Sequence, residues 1–318
     1  MGLGGSVEKG LERRFGEKVR FGEPMARHTT WRIGGPADAM VFPENEDDVR
    51  DLVVLLNDHD TGWFVLGGGS NLLVLDGGIR GVVISPAPGL ADVSEAPLPD
   101  GEGIRVQSGA SLARVCRFAA EKGFAGMSFA AGIPGTVGGA LMMNAGIPGA
   151  EMSDVVSEIG MIGPEGETMN IGRSELDYSY RRLDLPKRAA GVPGRPGIIV
   201  SAVLTLQKKD AGTVRRETEE RLARRKALQP GGLTAGSVFK NPPEGPAAGR
   251  LIDRAGLKGY TAGGAVVSKK HANFIVNRGD ATASDVLELM EIIRRSVKDA
   301  SGVELEPEVR VVGEAQQS

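Results

Sequence analysis

Apolar residues recur along this chain in short runs of two kinds, helical and alternating. Behind Asn45, a capping residue, Val49, Leu52, Val53 and Leu56 share one helical face, with Asp47 and Asp48 in the first turn. This predicts a helix over 45–56. Trp63 to Leu66 reads as a short buried strand. Leu72 to Leu75 and Val82 to Ile84 read as strands split by a Gly77-Gly78 turn. Ile104 to Gln107, Glu158 to Ile162 and Ile198 to Leu206 give further strands. Ser111 caps a helix ending near Gly123, with Leu112, Val115, Phe118 and Ala119 inward. Past residue 208 the pattern changes. Lys208 to Leu228 is highly charged, with Glu217–Arg221 and Glu220–Arg224 at i,i+4, and reads as a solvated linker helix. An apolar block at 266–276 follows. Then comes a helix starting near Thr282 or Ser284, with Val286, Leu289, Met290, Ile293 and Val297 inward, and a closing strand at 309–312. The break puts a domain boundary near 208, giving domains 1–207 and 208–318. Residues 87–103 and 186–197 are expected to be mobile surface loops, and the first twenty residues carry no readable signal.

The chain has 318 residues, enough for about two domains. Its net charge of −3 and the absence of a basic stripe argue against nucleic acid as a partner. The single cysteine, Cys116, cannot form an intrachain disulfide, which fits a reducing compartment, and its helical position suggests a core thiol. His28, His59 and His271 are too scattered for a zinc site, and no metal is expected. Residues 1–14 have charges and no apolar stretch, so no secretory signal is expected and the cytoplasm is the expected location. Residues 124–150 lack any charge, but seven glycines and two prolines make them a ligand-wrapping loop system rather than a membrane span.

Glycine is the outlier, with 47 residues. Gly67, Gly68 and Gly69, followed by Ser70 and Asn71, come directly after a strand. Consecutive glycines can point main-chain N–H groups into one anion nest; a Gly-rich hairpin tip is the plainer alternative. The spacing is not G-x-G-x-x-G, a strand pattern follows, and no P-loop motif exists, so neither a Rossmann site nor a P-loop fits. A second stretch contains Ile133, Pro134, Gly135, Thr136, Gly138 and Gly139 and runs into a short helix, where amides favour negative charge. Two such stretches suit a dinucleotide-sized ligand with a diphosphate and a ring. No G-x-S-x-G elbow is present. Ala235 to Pro242 exposes Ser237 beside Lys240 and Asn241. Glu306 to Arg310 alternates charge with apolar residues, as an edge strand would. Tyr178 to Arg182 sets two aromatics beside two guanidinium groups, as plain surface packing also would.

In order, HTTWRIGGPAD (28–38), LGGGSNLL (66–73), GIPGTVGGALMMNAG (132–146), Tyr180-Arg181, RRKALQP (224–230), AGSVFKNP (235–242), AGLKGYTAGGAVVSKKHANFIVN (255–277) and EPEVRVVG (306–313) resemble the UDP-N-acetylenolpyruvoylglucosamine reductase (MurB) family over about residues 20–313. The short interval from Asn241 to Leu257 resembles the compact subtype, which lacks an insertion carrying a substrate-covering tyrosine. The resemblance implies an α+β fold: a PCMH-type two-part FAD-binding domain and a smaller α/β substrate-binding domain that closes over the substrate. It implies non-covalent FAD, held at Gly67 to Asn71 and at Ile133 to Gly139. It also implies that NADPH reduces FAD, that NADP⁺ leaves, and that UDP-N-acetylglucosamine enolpyruvate then binds. Hydride would go from flavin N5 to C3 of the enolpyruvyl group and a proton to C2, giving UDP-N-acetylmuramate, a peptidoglycan precursor. No obligate protein partner is implied.

By the same resemblance Arg181 and Glu308 stabilise the charge that develops on C2 and its carboxylate, and Ser237 donates the proton. A serine hydroxyl is a weak acid that needs support, and Lys240 is a candidate by position. Arg225, Lys240 and Asn241 are expected to hold the UDP-sugar; an arginine fork suits its diphosphate. One departure is Ile147-Pro148-Gly149 where family members often have an aromatic, so one substrate contact is expected to be missing. Two other readings compete. PCMH-type flavin oxidases and dehydrogenases often tether their flavin through His or Cys, and residues 60–115 contain neither. A catalytically silent binding module would tolerate loss of Ser237 and Glu308, and both are present.

Overall fold

The computed structural model describes residues 2–87, 89–98 and 101–316. The chain forms two compact units, each assembled from separate segments. The first comprises 1–21, 38–68 and 81–224; the second comprises 22–37, 69–80 and 225–318.

The first unit is built on a six-stranded sheet. Its order is Thr168–Gly172, Val156–Ile162, Ile198–Lys208, Gly101–Gln107, Val93–Leu98, with Phe124–Ala125 pairing off Ile198–Lys208. Every pair is antiparallel. One core lies between this sheet and the helix Leu112–Lys122, and includes Val115, Phe124, Ile159 and Leu204. Ser111 Oγ accepts from the Arg114 amide at 3.2 Å, and Gly123 ends the helix in a left-handed conformation. A second core joins the helix Glu46–Asp58 to Trp63, Val82 and Ile84. Asn45 Oδ1 caps that helix by accepting from the Asp48 amide at 2.8 Å. Trp63–Val65 runs parallel to Ile79–Ile84, at the edge of a four-stranded sheet that also contains Pro36–Val41 and Val19–Pro24.

In the second unit, Thr261–Ala262, Ala265–Val267 and Ile275–Asn277 form an antiparallel sheet. The helix Ala283–Ser301 packs on it through the five apolar residues expected to face inward. Thr282 and Asp285 form a capping box, and the Asp76 carboxylate accepts from the Ala283 and Ser284 amides. Arg310–Val312 pairs in parallel with Leu72–Val74.

Four features differ from the sequence reading. The single cut at 208 is replaced by discontinuous units, and the last crossing, at 224/225, falls inside the helix Ala211–Leu228. The cause is long-range: Trp31, 0% exposed, donates its indole N–H to Ile275 O at 2.9 Å and shares a core with Leu73, Phe239 and Ile293. Residues 87–103 are not simply a loop; Val93–Leu98 pairs with Gly101–Gln107, although residues 88, 99 and 100 lie outside the described set. Residues 186–197 contain the helix Lys187–Ala190 with Ala189 buried, and Trp63 donates to the carbonyls of Gly194 and Pro196. The N-terminus forms a helix, Gly5–Phe15, whose Val7, Leu11 and Phe15 enter the second core. Their i,i+4 spacing was the available signal.

Candidate active site

In the first unit the strand Trp63–Val65 delivers Leu66, whose amide bonds Ile84 O at 2.8 Å, and then Gly67 and Gly68. The second Gly-rich stretch bends through Gly135 into the helix Val137–Met142 and is pinned by main-chain bonds. Gly135 O accepts from Leu112, Val137 donates to Ala110 O, and Gly138 donates to Ser108 O. The two stretches abut main chain to main chain. A Cβ on Gly68 would lie 2.6 Å from Gly135 Cα, and one on Gly67 would lie 2.9 Å from Thr136 Oγ1. No side chain fits there. Gly68 and Pro134 remain exposed, and Ile133 is half-buried against the sheet core. Bare backbone of this kind suits a long, diphosphate-bearing ligand that needs N–H donors and close approach.

The stretch continues through the helix Val137–Met142 to Asn144. Asn144 is fully buried with φ +40, so a non-glycine residue holds a left-handed backbone. Its Nδ2 donates to Glu151 Oε1 at 2.7 Å and to Ser179 O at 3.2 Å, and its Oδ1 accepts from the Ser153 amide at 3.0 Å. Ser179 ends a two-strand hairpin, Asp177–Ser179 with Arg182–Asp184, and Tyr180-Arg181 is its turn. Arg181 has φ +58. Its guanidinium lies 4.8 Å over the Tyr180 ring and donates to the carbonyls of Asn144 (3.4 Å) and Gly146 (3.2 Å). Nearby, burial pushes the Tyr178 hydroxyl above its ordinary range. Ile147-Pro148-Gly149 forms a tight turn between Gly146–Ile147 and Ala150–Glu151. The Cys116 thiol is buried, points at Met127 O, and is pushed up to about 12 by desolvation, as a core thiol would be.

The second unit takes up the first glycine stretch at Gly69, where φ is +59 and a Cβ would lie 2.0 Å from His28 O. Thr30 donates its amide to Gly69 O at 3.0 Å and its hydroxyl to Thr234 O at 2.8 Å. The Asn71 amide side chain donates to Glu308 O at 3.1 Å. Ser70 lies between them, half-buried. Ser237 forms a bridge with Phe274, and Phe239 forms one with Pro307. Glu308 N–H donates to Val238 O, and Lys240 N–H to Glu306 O, each at 2.8 Å. Ser237 and Glu308 therefore sit on adjacent antiparallel segments. The Lys240 ammonium pairs with the Glu306 carboxylate, an engagement the sequence did not signal. Asn241 Oδ1 accepts from the Ala248 amide at 3.1 Å, fixing the start of the helix Ala248–Arg254, and Arg225 Nε donates to Gln229 Oε1 at 2.9 Å. His28 Nε2 contacts Glu23 Oε1 at 2.9 Å, while His271 is half-buried edge-on to Phe274. Of the expected site residues, Arg181 belongs to the first unit with Gly67, Gly68 and residues 133–139; Ser237, Glu308, Arg225, Lys240 and Asn241 belong to the second with Gly69, Ser70 and Asn71. Asn144 and Thr30 lie inside the family-like motifs but were given no role, because a single polar residue in a loop does not show what it will bond. Among the described residues, no helix is long and apolar enough to cross a membrane.

Residues 37–172 match the family described as FAD binding domain. With the sheet and the paired glycine stretches, this defines an α+β flavoprotein with a PCMH-type FAD-binding domain. Residues 229–312 match the C-terminal domain of UDP-N-acetylenolpyruvoylglucosamine reductase. The chain is 48% identical to the reductase of that name from Desulfosudis oleivorans, over 94% of this chain and 96% of the relative. It is 41% identical to the one from Bacillus subtilis, over 96% and 98% respectively. The crystal structure of UDP-N-acetylenolpyruvylglucosamine reductase from Thermus caldophilus superposes with a TM-score of 0.75 at 35% identity, covering 92% of this chain and 97% of that one. The chain belongs to the UDP-N-acetylenolpyruvoylglucosamine reductase family.

Proposed function

We infer that this chain carries out the reaction its family is named for. It is an FAD-dependent reductase that uses NADPH to convert UDP-N-acetylglucosamine enolpyruvate to UDP-N-acetylmuramate in peptidoglycan precursor synthesis. The observation that carries this is the joint match, in one chain, of an FAD-binding domain over 37–172 and the reductase's C-terminal domain over 229–312, at 48% identity to a named reductase along nearly the whole length.

Bound FAD, once reduced by NADPH, supplies the hydride that adds to C3. We assign its binding to Gly67, Gly68, Gly69, Ser70, Asn71 and to Ile133, Pro134, Gly135, Thr136, Gly138 and Gly139. The abutting backbones at 67–68 and 135 support this, because they bring the exposed Gly68 and Pro134 of both stretches close enough to serve one ligand. Substrate binding is assigned to the second unit, 22–37, 69–80 and 225–318, through Arg225, Lys240 and Asn241.

Hydride addition at C3 leaves an electron pair and negative charge on C2 and its carboxylate. Arg181 meets that charge with a guanidinium already oriented by two carbonyls and an aromatic face. Glu308 orients the reacting group by hydrogen bonding, and the Ser237 hydroxyl donates its proton to C2. The adjacency of the segments bearing Ser237 and Glu308 supports assigning them to one task. The Lys240 ammonium, paired with Glu306, adds a positive charge on the segment that carries Ser237. The reaction is cytoplasmic in this reading, since NADPH and UDP-sugars are made there.

The test is anaerobic absorbance of the purified protein. NADPH should bleach the flavin, and only the enolpyruvyl substrate should restore its spectrum. A protein that bleaches and is not reoxidised keeps the flavin fold and loses the substrate. A colourless protein unable to take up FAD overturns the reading.

A further inference from the structure

We propose that Asn273 is a positioning residue for the substrate-reducing half-reaction, its side-chain amide fixing the segment that carries Ser237. The inference rests on Ser237 being the proton donor.

Asn273 is 3% exposed. Its main-chain carbonyl accepts from Val238 N–H at 2.9 Å, next to the Ser237–Phe274 bridge. Beyond that point the main chain turns away, and the side chain takes over. Asn273 Oδ1 accepts from Phe239 N–H at 3.0 Å, and Nδ2 donates to Phe239 O at 2.8 Å. A side-chain amide offers the same donor and acceptor as a peptide group, so Asn273 continues the ladder by one residue. On the other flank, Glu308 donates to Val238 O and Lys240 to Glu306 O. The main-chain N–H groups of 238, 239 and 240 and the carbonyls of 238 and 239 are thereby all committed, and Phe239 is fully buried between the flanks. Ser237 enters this clamp directly from Gly236, a residue at φ +81 that gives it no rigidity of its own. The serine is thus located by the bonds that follow it, and two of those come from one side chain. A misplacement of about 1 Å costs on the order of 100-fold in rate. Aspartate would keep the acceptor for Phe239 N–H but set a second oxygen against Phe239 O.

The experiment uses the FAD-loaded variants Asn273→Asp and Asn273→Ala beside Ser237→Ala. Reduction by NADPH and reoxidation by UDP-N-acetylglucosamine enolpyruvate are followed separately by anaerobic stopped flow across pH. Amide exchange of residues 237–240 is read by mass spectrometry. Both Asn273 variants should be reduced at the parent's rate and reoxidised about 100-fold more slowly at pH 8. They should also exchange faster at 237–240, with the helix Ala283–Ser301 still protected. Burial raises a carboxyl's pKa, so Asn273→Asp should regain reoxidation as the pH falls and its protonated form again donates to Phe239 O; Asn273→Ala, which keeps the same main-chain contact to the titratable His271 and so carries any effect of that group, should not. If Asn273→Ala fails to fold, the pH rescue of Asn273→Asp decides alone. Parental reoxidation of the Asn273 variants with Ser237→Ala blocked overturns the inference and leaves the proton donor standing. Parental reoxidation of Ser237→Ala removes the proton donor and the inference with it. Equal slowing of both half-reactions without pH rescue makes Asn273 merely structural.

Discussion

Asn71 donates its side-chain amide to the main-chain carbonyl of Glu308 at 3.1 Å, and its own carbonyl accepts from Arg310 N–H at 3.1 Å. The chain just past the three glycines therefore holds the main chain on which Glu308 rides. Both bonds are made by main chain at 308 and 310, and an isosteric amide at 308 leaves that main chain unchanged. Glu308→Gln is expected to keep FAD and its reduction by NADPH, and to slow reoxidation by substrate about 100-fold or more, in the range of acid–base and charge contributions. Flavin content after purification and the two separate rates check this. Release of FAD would make Glu308 structural.

Arg181 is held by two carbonyls and stacked on Tyr180. Arg181→Lys keeps the charge and loses the planar fork, so it should lower kcat by roughly 100-fold with FAD retained. Steady-state kinetics of the variant against its flavin content decides; a turnover within twofold of the parent would falsify the assignment.

A methyl group on Gly68 would have to enter the space occupied by Gly135 Cα. Gly68→Ala should push the two backbones apart at a cost of about 1–3 kcal/mol. If that cost falls on the FAD-bound form, affinity weakens by roughly 5- to 140-fold, with 1.4 kcal/mol per factor of ten. Titrating apoprotein with FAD by fluorescence measures this. Gly236→Ala, at a position with open space around it, offers a comparison for backbone strain alone.

Burial, with the Lys258 charge second, holds His271 below its ordinary value of 6.5. Its Nδ1 accepts from Asn273 N–H at 3.3 Å, which requires the unprotonated nitrogen. A base whose folded pKa is depressed favours folding while neutral. Its contribution is therefore present above the unfolded value and is lost as the pH falls from about 6.5 through the folded pKa. Thermal midpoints between pH 8 and pH 5 should fall more steeply for the parent than for His271→Gln, which cannot titrate. Parallel curves would remove His271 from the acid response.

Elements defined by neighbours in sequence were legible in advance. The helices Glu46–Asp58, Leu112–Lys122 and Ala283–Ser301 each carry a capping residue and an apolar face, both local signals. The helix Gly5–Phe15 had the face but no capping side chain, and passed unnoticed. The discontinuous units were illegible for another reason. Trp31 reaches Ile275, and Asn277 Nδ2 returns to Trp31 O, over separations no local pattern can encode. The same holds for the site. Ser237 and Glu308 stood out by motif, but the polar residues that hold their surroundings, Asn273 and Thr30, are single amides and hydroxyls in loops. Only the folded chain shows what they bond.

The way the chain alternates between its two units decides how it can be taken apart. A fragment starting at 208 or 225 would keep the helix Ala283–Ser301 and most of its apolar partners. It would lack the indole of Trp31 that fills their centre and the Leu72–Val74 strand that covers the edge of Arg310–Val312. Such a piece would expose an unpaired strand beside a cavity the size of a tryptophan, an invitation to aggregate. Expressing the C-terminal piece by itself should therefore yield insoluble protein rather than a domain.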